Sequence, residues 1–203
     1  GESATLSHKE HLKVIGIVRD EAKRAKVIAG AGSNATHEAI HLSKGAKDLG
    51  VDGVLLISPY YNKPNQKGIF RHYEAIAKAV DVPIVVYNVP SRTGSNIAAA
   101  TIKRLAEVPN IVAVKEASGN MSQINAILAS VPKRFSVLSG DDLMTFPMMA
   151  LGAQGVISVT SNVVPDLMAQ MTHAALEGEW GKAREMHYRL LPLFNDLFLD
   201  TNP

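Results

Sequence analysis

Six short apolar runs, each followed by a stretch with helical spacing, constrain this chain more than any other feature. The runs cover residues 26–31, 54–58, 84–87, 111–118, 135–139 and 155–159 and recur at intervals of roughly 20 to 30 residues. Runs this short read as strands buried on both faces, the habit of parallel sheets. Between them, Ala39, Leu42, Ala46 and Leu49, then Ile69, Tyr73, Ile76 and Val80, then Ile124, Ile127, Leu128 and Val131 recur at the spacing of one helix face. Alternation of strand and helix implies a parallel sheet covered by helices.

Local signals place the helices. Ser7 and Glu10 form a capping box for a helix carrying Leu12, Ile15 and Val18 on one stripe. A helix is predicted over 98–106. Asn120 caps the one that follows the central run. Residues 143–151 read as helical, with Pro147 a local defect. Pro165 suits a first helical turn, with Leu167, Met168 and Met171 inward as core. Gly178 and Gly181 break that helix. Trp180, Ala183, Met186, Leu190 and Leu191 then predict another.

Both a doubly wound sheet and an eight-fold barrel fit this alternation, and two observations favour the barrel. No Gly-x-Gly-x-x-Gly follows any strand. The chemically useful residues instead cluster at strand C-terminal ends, as in barrel active sites: Asn34, Tyr60, Tyr61, Tyr87, Asn88, Lys115, Glu116, Asp141 and Asp142. The expected fold is therefore α/β, a partial (β/α)8 barrel with six of the eight strands, numbers 3 to 8, over residues 1–178. Residues 179–203 are expected to begin a C-terminal helical region. The chain opens inside what reads as a loop and stops at Thr201-Asn202-Pro203, so a partial sequence is expected.

Composition excludes more than it assigns. A net charge of +2 spread over 203 residues makes no case for nucleic acid. The chain has no cysteine, which removes disulfides, thiolate metal sites and a cysteine nucleophile and suits a reducing cytoplasm. No apolar stretch approaches a membrane span, so no membrane partner is expected.

The run Ile111-Val-Ala-Val-Lys115 carries the chemistry. On a strand, Ile111, Ala113 and Lys115 share one face, which places the lysine among small apolar groups. Burial disfavours the ammonium, lowers its pKa and frees the amine to attack a ketone and form an imine. The bland alternative is a lysine that snorkels out at the strand edge or pairs with a neighbour such as Glu116. Tyr87 ends the preceding strand, within reach for proton transfer during imine formation; its alternative is a tyrosine buried for packing. Arg92, on the loop above, is suited to grip a carboxylate with two hydrogen bonds, or is a solvated loop residue. Asp141 and Asp142 read as a helix N-cap rather than a magnesium site. His37 and His41 fall on an exposed helix face, and no histidine cluster argues for zinc.

Tyr87-Asn-Val-Pro-Ser-Arg-Thr-Gly94, Val114-Lys-Glu-Ala-Ser118 and Leu138-Ser-Gly-Asp-Asp142 closely resemble the dihydrodipicolinate synthase family, as do Gly1-Glu-Ser-Ala-Thr-Leu6, Ala29-Gly-Ala-Gly32, Ser58-Pro-Tyr-Tyr-Asn-Lys-Pro64 and Gly155-Val-Ile-Ser-Val159. The resemblance covers the whole chain. It implies condensation of pyruvate with L-aspartate 4-semialdehyde to 4-hydroxy-tetrahydrodipicolinate, in lysine and diaminopimelate synthesis. By the same resemblance, Lys115 forms the pyruvate imine and Tyr87 relays the proton. A threonine upstream of Gly1 links Tyr87 to Tyr61 of a neighbouring subunit. Arg92 holds the semialdehyde carboxylate, and Ile157 and Gly140 line the pyruvate pocket. No cofactor is implied, neither pyridoxal phosphate nor metal. Without the upstream threonines, activity is expected to be crippled. The other readings are a related pyruvate-dependent aldolase for sialic acid or keto-deoxy-sugars, and an inactive fragment or keto-acid-binding barrel.

The resemblance also implies a cytoplasmic homotetramer, a dimer of dimers, inhibited by lysine in a cleft between two subunits. The matching positions are Ser3, Ala4, His8, His11, Asn34, Glu38 and Tyr60. Glu38 is suited to the inhibitor's α-amino group, and Asn34 and the Tyr60 hydroxyl to its carboxylate. His8 and His11, three apart on a helix, share a face that can close over the side-chain amine.

Overall fold

A computed structural model describes residues 2–200; Gly1, which opens the first motif above, and residues 201–203 lie outside the described residues. After a short 3-10 turn at Ser3–Thr5, the elements run α1 (His8–Glu21), β1 (Ile28–Gly30), α2 (Thr36–Asp48), β2 (Gly53–Ile57), α3 (Gln66–Ala79), β3 (Ile84–Asn88), α4 (Pro90–Thr93), α5 (Ala99–Leu105), β4 (Ile111–Glu116), α6 (Met121–Ser130), β5 (Ser136–Ser139), α7 (Asp142–Ala150), α8 (Pro165–Leu176) and α9 (Trp180–Asp196). Among the described residues, no helix is long and apolar enough to cross a membrane.

Among the described residues five strands form one sheet, all parallel and in the order β1-β2-β3-β4-β5. A doubly wound sheet reverses its order at a switch point. Strict sequential order with a helix after each strand is instead an arc of a (β/α) barrel. Helices that follow one another pack side by side, α1 on α2, α2 on α3, α3 on α5 and α5 on α6.

The sixth expected strand, 155–159, is reduced to a bridge between Val156 and Ser139. It keeps parallel pairing with β5 through Ser139 N–H to the Gly155 carbonyl and Ile157 N–H to the Ser139 carbonyl, both 2.9 Å. Two causes cut it short. Gly155 has φ +150°, outside ordinary strand geometry. Downstream, one Asp142 carboxylate oxygen accepts from the Val159 and Thr160 amides and draws the chain into a 3-10 turn over Thr160–Asn162.

Two local signals act as expected: Ser7 and Glu10 form the capping box of α1, and Asn120 caps α6. Asn65, not singled out above, caps α3. Pro165 sits in the first turn of α8, and Pro147 lies within α7. The first helix departs from expectation. Its buried stripe runs through His11 and Ile15, and Val18 stands 50% exposed at its edge. The main core lies between the sheet and its helices, with Leu56, Ile69, Tyr73, Ile84, Ile111 and Ile127 fully enclosed. Met168, Met171 and Met186 form a smaller cluster with Leu190 and Phe194 between α8 and α9, so the methionine stripe is core.

Candidate active site

Lys115 is the penultimate residue of β4 and the cross-strand partner of Tyr87 on β3. Its chain is only 9% exposed, and its ammonium stands 4.1 Å from the centroid of the Tyr87 ring. Desolvation lowers the Lys115 pKa from 10.5 to about 8, against an opposing pull from the Asp142 carboxylate. The amine is thus neutral in a useful fraction near neutral pH, the condition for nucleophilic attack. Burial pushes the Tyr87 hydroxyl above its ordinary value, and the positive charge of Arg92 works against that rise.

Gly140 follows β5 and makes room for the lysine. A Cβ at this position would lie 2.8 Å from Lys115 Cε and 2.9 Å from Cγ, closer than packed atoms approach. Its N–H donates to the Glu116 carbonyl at 2.8 Å, which fixes the loop against β4. Ile157 is half-buried on the neighbouring segment. Arg92 lies on α4, a four-residue helix that the spacing of apolar residues does not announce. It is solvent-exposed and close enough to Tyr87 to act on it electrostatically.

Tyr61 stands apart from this cluster. It is 89% exposed and held at φ +69°, a conformation that a bulky residue adopts only under constraint. Asp141 is an N-cap as expected, its carboxylate accepting from the Leu143 amide at 3.0 Å. His37 and His41 are exposed.

The suggested pairing of Lys115 with Glu116 does not occur. Successive strand residues face opposite ways. Glu116 is completely buried on the far side of the sheet, where both its oxygens accept from the Asn88 amide at 3.2 and 3.0 Å. Reasoning from motifs missed this pairing. The one available signal was that each residue immediately follows a proposed catalytic residue.

A separate surface cavity of about 220 Å³ is lined by Ser3, Ala4, His8, His11, Glu38 and Tyr60 together with Leu6, Gly32, Ser33 and Leu42. Asn34, the remaining expected member, is not part of the lining; its amide donates to the Tyr60 carbonyl at 3.3 Å. His11 Nε2 contacts the Gly30 carbonyl at 2.6 Å, and Ser33 Oγ donates to Glu38 at 2.7 Å. His11 and Glu38, two of the expected members, are therefore each tied to a neighbouring group of the protein.

The chain matches the Dihydrodipicolinate synthetase family over residues 1–203. It is 53% identical over 203 residues to the 4-hydroxy-tetrahydrodipicolinate synthase of Archaeoglobus fulgidus and 56% identical over 204 residues to that of Syntrophobacter fumaroxidans; in both alignments all of this chain covers 70% of the relative. The crystal structure of dihydrodipicolinate synthase from Aquifex aeolicus superposes with a TM-score of 0.97 at 54% identity, over all of this chain and 70% of that one. A pyruvate complex of the Acinetobacter baumannii enzyme superposes at 0.96 with 46% identity, and a lysine-bound enzyme from Cyanidioschyzon merolae at 0.96 with 44%; each aligns over the whole of this chain and 70% of its own. With its residues matched from first to last and its fold shared throughout, the chain belongs to the dihydrodipicolinate synthetase family.

Proposed function

We propose that this chain condenses pyruvate with L-aspartate 4-semialdehyde to give 4-hydroxy-tetrahydrodipicolinate, a step of lysine and diaminopimelate synthesis. The observation that carries this reading is the enclosed Lys115 amine over the Tyr87 ring, its pKa brought down to about 8. The neutral amine attacks the pyruvate ketone, water leaves, and an imine forms. The imine makes the adjacent methyl group acidic, and the carbon nucleophile so formed attacks the semialdehyde's aldehyde carbon; the semialdehyde's own amine then adds to the imine carbon and displaces Lys115, which closes the ring and frees the lysine. Tyr87 passes protons in these steps. Gly140 and Ile157 shape the pyruvate pocket, and Arg92 grips the semialdehyde carboxylate. The covalent imine serves in place of a resident cofactor.

Tyr61 completes the site of a neighbouring subunit in a cytoplasmic homotetramer, a role supported by its exposure and constrained backbone. The cavity beside α1 takes lysine as a feedback inhibitor, with Glu38 on the α-amino group and Asn34 and Tyr60 on the carboxylate. In this reading residues 1–178 are the barrel portion and 179–203 the start of a helical region.

The test offers the full-length protein pyruvate with either aspartate 4-semialdehyde or N-acetylmannosamine and follows pyruvate consumption. Consumption with the semialdehyde alone is expected. Turnover of the amino sugar, or of neither substrate, would refute the assignment.

A further inference from the structure

The buried carboxylate of Glu116 is held by amide groups and ties together separate parts of the proposed machinery. Both of its oxygens accept from Asn88 Nδ2, at 3.2 and 3.0 Å. Oε1 also accepts from the Ser118 amide at 2.7 Å, and Oε2 lies 3.5 Å from Gln123 Nε2 on α6. Asn88 is itself fully used. Its Nδ2 reaches Asn96 Oδ1 at 2.9 Å, and its Oδ1 accepts from the Ile97 amide at 2.9 Å. Asn96 and Gln123 then close the network through a reciprocal amide pair, at 2.7 and 3.1 Å.

The place of this network in the fold gives it a task. Asn88 and Glu116 are cross-strand partners, and so are their immediate predecessors, Tyr87 and Lys115. Side chains alternate, so one pair faces the reaction and the other locks the same two strand ends from behind. Asn96 and Ile97 belong to the segment that leaves α4, which carries Arg92. We propose that Glu116 and Asn88 are positioning residues, a polar clamp that holds the Tyr87 ring over the Lys115 amine and ties the Arg92 segment to the same point. This rests on the imine chemistry proposed above. A buried network with every member satisfied rigidifies its surroundings, and a small displacement of reacting groups is expensive in rate.

The clamp can be inverted without changing its shape. Glu116→Gln alone sets an amide against the Asn88 amide, and Asn88→Asp alone sets carboxylate against carboxylate. In the double variant, the amide introduced by Glu116→Gln donates to the carboxylate introduced by Asn88→Asp, and Asn96 and Gln123 restore the remaining bonds by turning their amides over. Two readouts separate the clamp from the chemistry. One is the rate of borohydride trapping of labelled pyruvate, with Lys115→Ala as the blank. The other needs no pyruvate: the ring-current shift of the Lys115 Hε signals in protein labelled with [ε-13C]lysine.

Each single variant should trap about ten-fold or more slowly and lose the upfield shift, and the double variant should return to within about three-fold of wild type with the shift restored. Asn96→Ala, a change at an exposed position, removes one acceptor from Asn88 and should slow trapping about three-fold with the fold intact; it decides the matter if the single variants do not fold. Wild-type trapping and shift in all foldable variants, or a double variant no faster than its slower parent, would overturn the clamp. Wild-type protein that shows the shift but traps nothing would instead refute the imine chemistry and leave the clamp to be decided by the shift measurement.

Discussion

Lys115 and Tyr87 are partners across β4 and β3, and the lysine ammonium stands 4.1 Å from the centre of the tyrosine ring. The ring face favours the cation, while the surrounding apolar groups disfavour it. Desolvation prevails, and the lysine titrates at about 8. The same pair thus sets both the reactivity of the amine and its cost to the fold.

The first consequence is a pH profile. Only the neutral amine attacks the ketone, so the rate of imine trapping should rise close to ten-fold per pH unit from pH 6 and level off above about 8. Initial rates across pH 6 to 10 check this. A plateau reached only above pH 10 would mean that burial does not tune Lys115.

Stability should also rise with pH, but in a higher window than the rate. Below pH 8 the lysine is protonated in both folded and unfolded states, and the buried charge costs its full penalty. Between about 8 and the ordinary 10.5 only the unfolded chain holds the proton, so stability rises with pH across that window. Lys115→Met should therefore be more stable than wild type by about 1 to 3 kcal/mol at pH 7, and the difference should shrink toward pH 10.5. Denaturant melts of both proteins at pH 7 and pH 10 measure it. A less stable variant at pH 7 would contradict the burial argument.

Gly140→Ala places a methyl group where the lysine chain runs, 2.8 Å from Cε. The lysine is flexible and can yield, so the loss should fall on reactivity more than on stability. Trapping should slow about ten-fold or more while the unfolding free energy changes by less than about 2 kcal/mol. Parallel trapping and melting measurements decide it; an unaltered trapping rate would remove Gly140 from the pyruvate pocket.

These relations were unequally legible in the sequence. Lys115 and Tyr87 could be found because each ends an apolar run, and a polar residue at such a point has few structural reasons to be there. The pairing of Asn88 with Glu116 was hidden, because a buried carboxylate held by amides has the same spelling as a solvated charge. The last strand is shorter than its spelling implies: 155–159 has a strand's apolar content, but Gly155 and the Asp142 contacts that shorten it are set by backbone geometry and long-range hydrogen bonds. Val18 misled for a similar reason, since helical spacing fixes a stripe but not where the neighbouring helix stops covering it. The exposure of Tyr61 has no local signature at all.

Arg92→Ala should raise the semialdehyde KM about ten- to a hundred-fold and leave pyruvate trapping nearly unchanged, since a bidentate charge-assisted contact contributes about 1.5–3 kcal/mol. Steady-state kinetics with each substrate varied will separate the two effects. Equal damage to both would assign Arg92 a structural role through its proximity to Tyr87.

His11→Lys introduces a second ammonium into the cavity of about 220 Å³ that Glu38 and Tyr60 share. Like charges repel, so half-inhibition by lysine should require at least about ten-fold more inhibitor. A dose–response curve of each protein reads this out. Undiminished inhibition, or none in the wild type, would remove the cavity as the regulatory site.

The most direct test of the imine assignment is borohydride reduction in the presence of labelled pyruvate, followed by peptide mapping. A single label on Lys115, absent from Lys115→Ala, is the result predicted by an enclosed amine with a pKa of about 8. Label on any other lysine, or persisting in the alanine variant, would contradict it.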